Sequence, residues 1–208
     1  ILGLLIAAVI VFPTFSPGNL VAGLGITSVA IGFAFKDVLQ NLFAGLLLLW
    51  RKPFRIGDQI RTQTYEGTVE EINVRSTFIK TYDGQRVIIP NGDIYTHPIT
   101  VNTAFDRRRI RCLVGVGYGD DLERAKAIVM RTVGETEGVL GHPGPWVHVV
   151  ELAPSSVNLE VFFWTSPQQA HVLAVRERVL TRIKLALDEA GIEMPYPYRQ
   201  LVLPDTVP

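Results

Sequence analysis

Cysteine is almost missing from this chain. Cys112 stands alone among 208 residues, so no intrachain disulfide can form and a disulfide-stapled scaffold is excluded. Net charge is missing as well. Twenty Lys and Arg residues balance twenty Asp and Glu residues, which leaves no overall field to draw nucleic acid or an acidic partner. There is no internal repeat and no low-complexity tract. No serine, cysteine or carboxylate constellation suggests catalysis, and His97, His142, His148 and His171 fall at no metal-ligand spacing. The expectation is a protein that is not an enzyme and holds neither metal nor cofactor.

What the chain has is an uneven store of apolar residues, crowded into its first 50 positions. It opens with ILGLLIAAVIVF, about twelve apolar residues before Pro13, where a spanning helix needs about 20. No basic segment precedes this run and no small-residue cleavage site follows, so it does not read as a signal peptide. Residues 1–12 read as the end of a preceding transmembrane helix, with more such helices expected upstream. Ser16-Pro17 is a helix start, and a second apolar helix is expected over 20–50. Arg51, Lys52, Arg55 and Arg61 follow it. Basic flanks mark the cytoplasmic side of a membrane, so the soluble remainder is expected to be cytoplasmic.

From Pro53 the pattern turns to short alternating strands. Asp83-Gly84 is a hairpin signal and Pro90-Asn91-Gly92 reads as a further turn, giving a small, partly closed β barrel over 53–104. The span 105–197 reads as an α+β unit in the order β-α-β-β-α. Its helices run over 121–137, with Leu122, Ala125, Val129 and Val133 inward, and over 168–190, with Val172, Val175, Val179, Ile183 and Ala186 inward. A last strand within 198–208 ends the chain. GVGYGD at 115–120 lacks the spacing of a phosphate loop and reads as a strand end with Asp120 or Asp121 capping a helix. Arg107, Arg108, Arg109 and Arg111 read as a solvated strand start.

The second apolar helix carries the most information. At about 100° per residue, Gly25, Ser28 and Gly32 fall on one flank and Gly23, Thr27, Ala30 and Ala34 on the other. Between them lies a stripe of Ala22, Ile26, Val29, Phe33, Lys36 and Gln40. Helices in lipid associate by close approach, which small side chains permit. Two small flanks let each helix pack its left side on the right side of an identical neighbour, a heterologous contact that closes into a ring. The stripe then lines the axis, where Lys36 meets water. A continuous helix over 20–50 would be about 46 Å long against a hydrocarbon core of about 30 Å, so a break is expected near Lys36 and Asp37.

AGLGITSVAIGFAFKDVLQNLFAGLLLLWRKPFRIGDQI, EGTV, TYDG and VIIPNG, in this order, resemble the small-conductance mechanosensitive channel (MscS-like) family over nearly the whole chain. The resemblance implies an Sm-like β barrel and a ferredoxin-like α+β domain. It also implies a homoheptameric ring in the inner membrane and a pore, opened by membrane tension, that passes ions and small solutes on hypo-osmotic shock. Carried over by position, the pore seal falls on Val29 and Phe33, a hinge on Lys36, Asp37 and Gly45, and a gate–vestibule contact on Asn41 and Gly92. The family's kink glycine aligns with Asp37, so its glycine hinge does not transfer directly. The expected partners are further copies of the chain, the lipid bilayer and permeating solutes, with no nucleic acid. The other readings are a ligand-modulated channel or a membrane-anchored oligomeric binding module.

Overall fold

The computed structural model describes Ile6, residues 17–197 and Arg199. The expected end of a preceding helix over 1–12, apart from helical Ile6, and the final strand within 198–208, apart from Arg199, lie outside the described residues. The chain divides into two compact units, Ile1–Thr100 and Val101–Pro208.

The first unit contains helix α1, Pro17–Arg51, then strands β1 (Gln59–Thr62), β2 (Tyr65–Ile72), β3 (Ser76–Thr81) and β4 (Arg86–Pro90), and a short helix α2 (Asn91–Thr96). Strand β5, Ile99–Val101, runs up to the division. Pro17 begins α1, as a proline in a first turn should, and Arg51 places a cation against the negative end of the helix dipole. The expected break is corrected here: α1 is a single 35-residue helix, hydrogen-bonded through Lys36 and Asp37. Both are good enough helix residues, with neither a proline nor a glycine there to interrupt the ladder.

The strands form one sheet in the order β4-β3-β2-β1-β5, antiparallel from β4 to β1, with β2 bulged between Val69 and Glu71. Its ladder is linear among the described strands, so the expected barrel closure is not seen in the hydrogen bonding. The β3–β4 turn holds Gly84 at φ +81°, a conformation that a side chain disfavours, and Gln85 pairs back to Thr81. Phe54, Ile60, Val69, Ile79, Ile89 and Ile94 form the core of this unit together with Ala44 and Leu48 of α1. Burying one such isoleucine or phenylalanine contributes about 1.5–3 kcal/mol. The Pro90-Asn91-Gly92 segment is not a simple turn: Asn91 opens α2.

The second unit follows the expected order: β6 (Arg108–Val116), α3 (Leu122–Gly134), β7 (Trp146–Leu152), β8 (Val157–Thr165) and α4 (Gln169–Glu189). Its sheet is antiparallel in the order β6-β8-β7. Alternation along β8 sends Val157, Leu159, Val161, Phe163 and Thr165 inward, where they meet Ala125, Val129 and Val133 of α3 and Val172, Val175, Val179 and Ile183 of α4. The inward stripe of α4 ends on Leu187 rather than Ala186, which is only half-buried. Both helices therefore cover one face of the sheet. The described part of this unit has five elements, one strand short of the six in a ferredoxin-like fold.

Asp121 caps α3, accepting from the N–H groups of Glu123 and Arg124 at 3.0 and 3.1 Å. Asp120 accepts from Gly117 N–H at 3.2 Å and Glu193 N–H at 3.0 Å. The donors an anion would need at this helix end are thus already taken by the chain's own carboxylates. On the open face of the sheet the arginine run is engaged. Arg109 lies over the Phe162 ring at 5.0 Å, Arg107 over Trp164 at 5.9 Å, and Arg111 pairs with Glu160 at 3.2 Å.

Candidate pore helix and its anchor on the beta sheet

Helix α1 has two halves with different surroundings. From Ala22 to Gln40 every residue is exposed. Ile26 and Phe33 are each 74% accessible and Val29 is 59% accessible. From Asn41 onward one face turns inward, and Ala44, Gly45 and Leu48 are buried against the rest of the unit.

The exposed half carries both flanks and the stripe. A Cβ built on Gly23, Gly25 or Gly32 would meet nothing within 4 Å, so nothing inside this chain requires glycine at those places. Thr27 donates its hydroxyl to the Gly23 carbonyl at 2.9 Å, which satisfies its polarity along the helix and leaves its methyl on the flank. Ser28, Ala30 and Ala34 complete the two small-residue flanks. Val29 and Phe33, four residues apart, stand on one face with Ala22, Ile26 and Lys36. Gln40 keeps its place on the stripe by helical position, and its side chain also lies beside Gly92. This helix, over Ala22–Arg51, is long and apolar enough to cross a membrane.

The anchored half is held by a polar cluster within the apolar core. Asn41 Oδ1 accepts from the Gly92 N–H at 2.8 Å, and its Nδ2 donates to the Asp37 carbonyl at 2.9 Å. The sequence-expected pair Asn41 and Gly92 is therefore in direct contact. Behind it lie residues that the sequence reading missed. Asn91 is fully buried; its Oδ1 accepts from Thr77 Oγ1 at 2.9 Å and its Nδ2 donates to the Asn73 carbonyl at 2.8 Å. Thr77 is itself fully buried. Every buried side-chain polar atom among the described residues has a partner. Gly45, expected as a hinge, has another reason to be glycine: a Cβ there would overlap the Val74 carbonyl oxygen and come to 2.5 Å from Asn91 Nδ2. The signal for Asn91 lies in the Asn-Gly pair of VIIPNG, which by sequence alone reads as a turn and in the fold is a buried amide beside a small residue.

Among the described residues no group of three or more His, Cys, Asp or Glu is placed to hold a metal. Cys112 is buried in the second unit. Desolvation pushes its thiol pKa up, while the nearby Arg176 pulls the other way more weakly.

Comparison with known proteins agrees with this layout. The family profile described as "Mechanosensitive ion channel, beta-domain" matches residues 37–102, and "Mechanosensitive ion channel MscS, C-terminal" matches residues 110–194. An uncharacterised MscS family protein of Archaeoglobus fulgidus is 42% identical over 182 residues, covering 88% of this chain and 63% of that protein. The small-conductance mechanosensitive channel MscMJ of Methanocaldococcus jannaschii is 35% identical over 182 residues, covering 86% of this chain and 51% of that one. The crystal structure of Helicobacter pylori MscS in its closed state superposes with a TM-score of 0.85 at 26% identity, covering 93% of this chain and 76% of that chain. The chain thus spans between half and two-thirds of the length of these two curated relatives. With both consecutive profiles, the relatives and the solved structure pointing the same way, this chain belongs to the MscS-like family.

Proposed function

We propose that this chain supplies the pore helix and the adjoining soluble domains of a tension-gated channel that passes ions and small solutes on hypo-osmotic shock. The observation that carries the proposal is the exposed half of α1. Its apolar surface from Ala22 to Gln40 is uncovered, and its glycines are unexplained by any contact within the chain. Identical helices packed side by side, small flank on small flank, supply both the missing contacts and the reason for glycine. The remaining apolar surface faces lipid. The likeness to proteins named small-conductance mechanosensitive channels supports the same reading.

In such a ring Val29 and Phe33 form the seal. A narrow apolar constriction dewets and blocks ions without a plug, and sliding of the small flanks widens and wets it. Lys36 then adds a ring of cations at one end of the constriction. The number of copies follows the family, a heptamer, and the site is an inner membrane with the soluble domains in the cytoplasm.

Patch-clamp recording of the full-length protein in liposomes under suction tests this reading. Pressure-dependent unitary currents are expected, with a lower threshold or a leak after Phe33→Ser or Val29→Ser. Silence up to membrane rupture, from protein shown to be an inserted oligomer, would sink the tension-gated channel and favour a ligand-modulated channel or an anchored binding module.

A further inference from the structure

Lys36 and Asp37 are the only charged residues between Pro17 and Trp50 of α1, and both are exposed. Adjacent residues of a helix do not face each other, so they cannot satisfy one another. No residue three or four positions from either of them is charged. Neither makes an ion pair among the described residues. Arg75 lines one open cavity of about 440 Å³ together with Asp37, and it too makes no ion pair there. Charges within an otherwise apolar, membrane-length helix are costly unless they are wet or paired.

The two charges lie on opposite sides of Phe33. Along the unbroken helix, Lys36 is turned about 60° from Phe33 to one side and Asp37 about 40° to the other. Lys36 therefore borders the flank of Gly25 and Gly32, and Asp37 borders the flank of Gly23, Ala30 and Ala34. Side-by-side packing of identical helices sets the first flank of one copy against the second flank of the next. Lys36 and Asp37 differ in height by only about 1.5 Å, so copies related by rotation about one axis present them at nearly the same level. A seam of small residues brings helix axes to about 8 Å, a gap that a lysine side chain crosses.

We propose that Lys36 of each copy pairs with Asp37 of the copy beside it, forming a closed belt of ion pairs one turn below Phe33. The inference rests on the reading of α1 as one wall of a ring, and it adds what fixes the register of neighbouring helices. Glycine and alanine flanks offer no directional contact, so they slide. A cation against a carboxylate selects one register and penalises the others. The belt gives both charges the partner that the single chain lacks. It also matches the cations at the end of the constriction with carboxylates. One exposed pair is weak, but a belt repeats it at every seam as a network.

The test uses the full-length protein with Cys112, and any cysteine outside this sequence, replaced by serine. Lys36→Cys chains and Asp37→Cys chains carrying tags of different length are co-expressed, and the membranes are oxidised with copper phenanthroline. Mixed dimers of the two chains are expected in several-fold excess over either homodimer. Charge reversal gives a second readout. Lys36→Asp or Asp37→Lys alone sets like charges across every seam, so the oligomer should dissociate at lower detergent concentration. Both reversals in one chain restore opposite charges and should recover most of that loss. Homodimers alone would overturn the pair, as would a double variant no more stable than the single ones. So would an Arg75→Gln variant as unstable as Asp37→Lys, which would make Arg75 the partner of Asp37. Mixed dimers without pressure-gated currents would leave the pair standing and count against the channel reading. Monomeric protein in the membrane would sink the ring and the pair together.

Discussion

Asn41 and Gly92 are joined across 51 residues of sequence by a 2.8 Å hydrogen bond from the Gly92 N–H to the Asn41 side-chain oxygen. Asn41 lies at the point where α1 passes from fully exposed to partly buried. Gly92 lies in the first turn of α2, beside the buried Asn91. The bond therefore ties the long helix to the short helix α2 at one polar point within an apolar contact.

Removing that point should loosen the tie without unfolding the unit. Asn41→Ala is expected to cost about 1–3 kcal/mol by leaving the Gly92 N–H without its partner. Hydrogen exchange at Gly92 should rise, and, on the channel reading proposed above, the pressure threshold of the full-length protein should shift. An unchanged exchange rate would mean that water replaces the carbonyl at no cost.

The supporting amide gives a sharper case. Thr77→Val keeps the shape and removes the donor to Asn91 Oδ1. Since both residues are fully buried, a loss of about 1–3 kcal/mol is expected in denaturant titration. Thr77→Ser, which keeps the hydroxyl, should recover most of it.

Glycines in the two halves of α1 should respond in opposite ways. Gly45→Ala forces a methyl into the Val74 carbonyl and is expected to destabilise the unit by about 1–3 kcal/mol. Gly32→Ala meets nothing within the chain and improves helix propensity by about 1 kcal/mol, so the single chain should not lose stability. Its effect should appear in the assembly, as reduced oligomer in light scattering or an altered threshold. A destabilised monomer in the Gly32 variant would argue against an intersubunit role.

Cys112 sets a pH dependence. Its folded thiol holds its proton above the ordinary thiol pKa of about 8.5, because burial disfavours the thiolate more than Arg176 favours it. Its contribution to stability is full below the unfolded pKa and is lost as pH rises from there through the higher folded value. Cys112→Ser should flatten that alkaline decline in the second unit, and alkylation of native protein at pH 8 should be slow until denaturant is added.

Much of the architecture was legible in the residues because its causes are local. The period of the inward positions in α3 and α4, the Asp83-Gly84 hairpin and the Asp121 cap depend on neighbours a few residues away, and they appear where the pattern puts them, save that Leu187 replaces Ala186 as the last inward position of α4. The small flanks and apolar stripe of α1 are likewise a matter of spacing along one helix. The contacts of α1 with the sheet are not. Asn91 opening a helix instead of a turn, Gly45 under the Val74 carbonyl, Gln40 turned to Gly92 and the unbroken helix at Lys36 and Asp37 all depend on what the sheet presents or on how neighbouring forces balance. Periodicity and turn chemistry act within a few residues, so sequence determined the elements and their apolar faces. Close approach and buried hydrogen bonding act between segments tens of residues apart, so only the tertiary structure decided where the long helix is held and why its glycines differ.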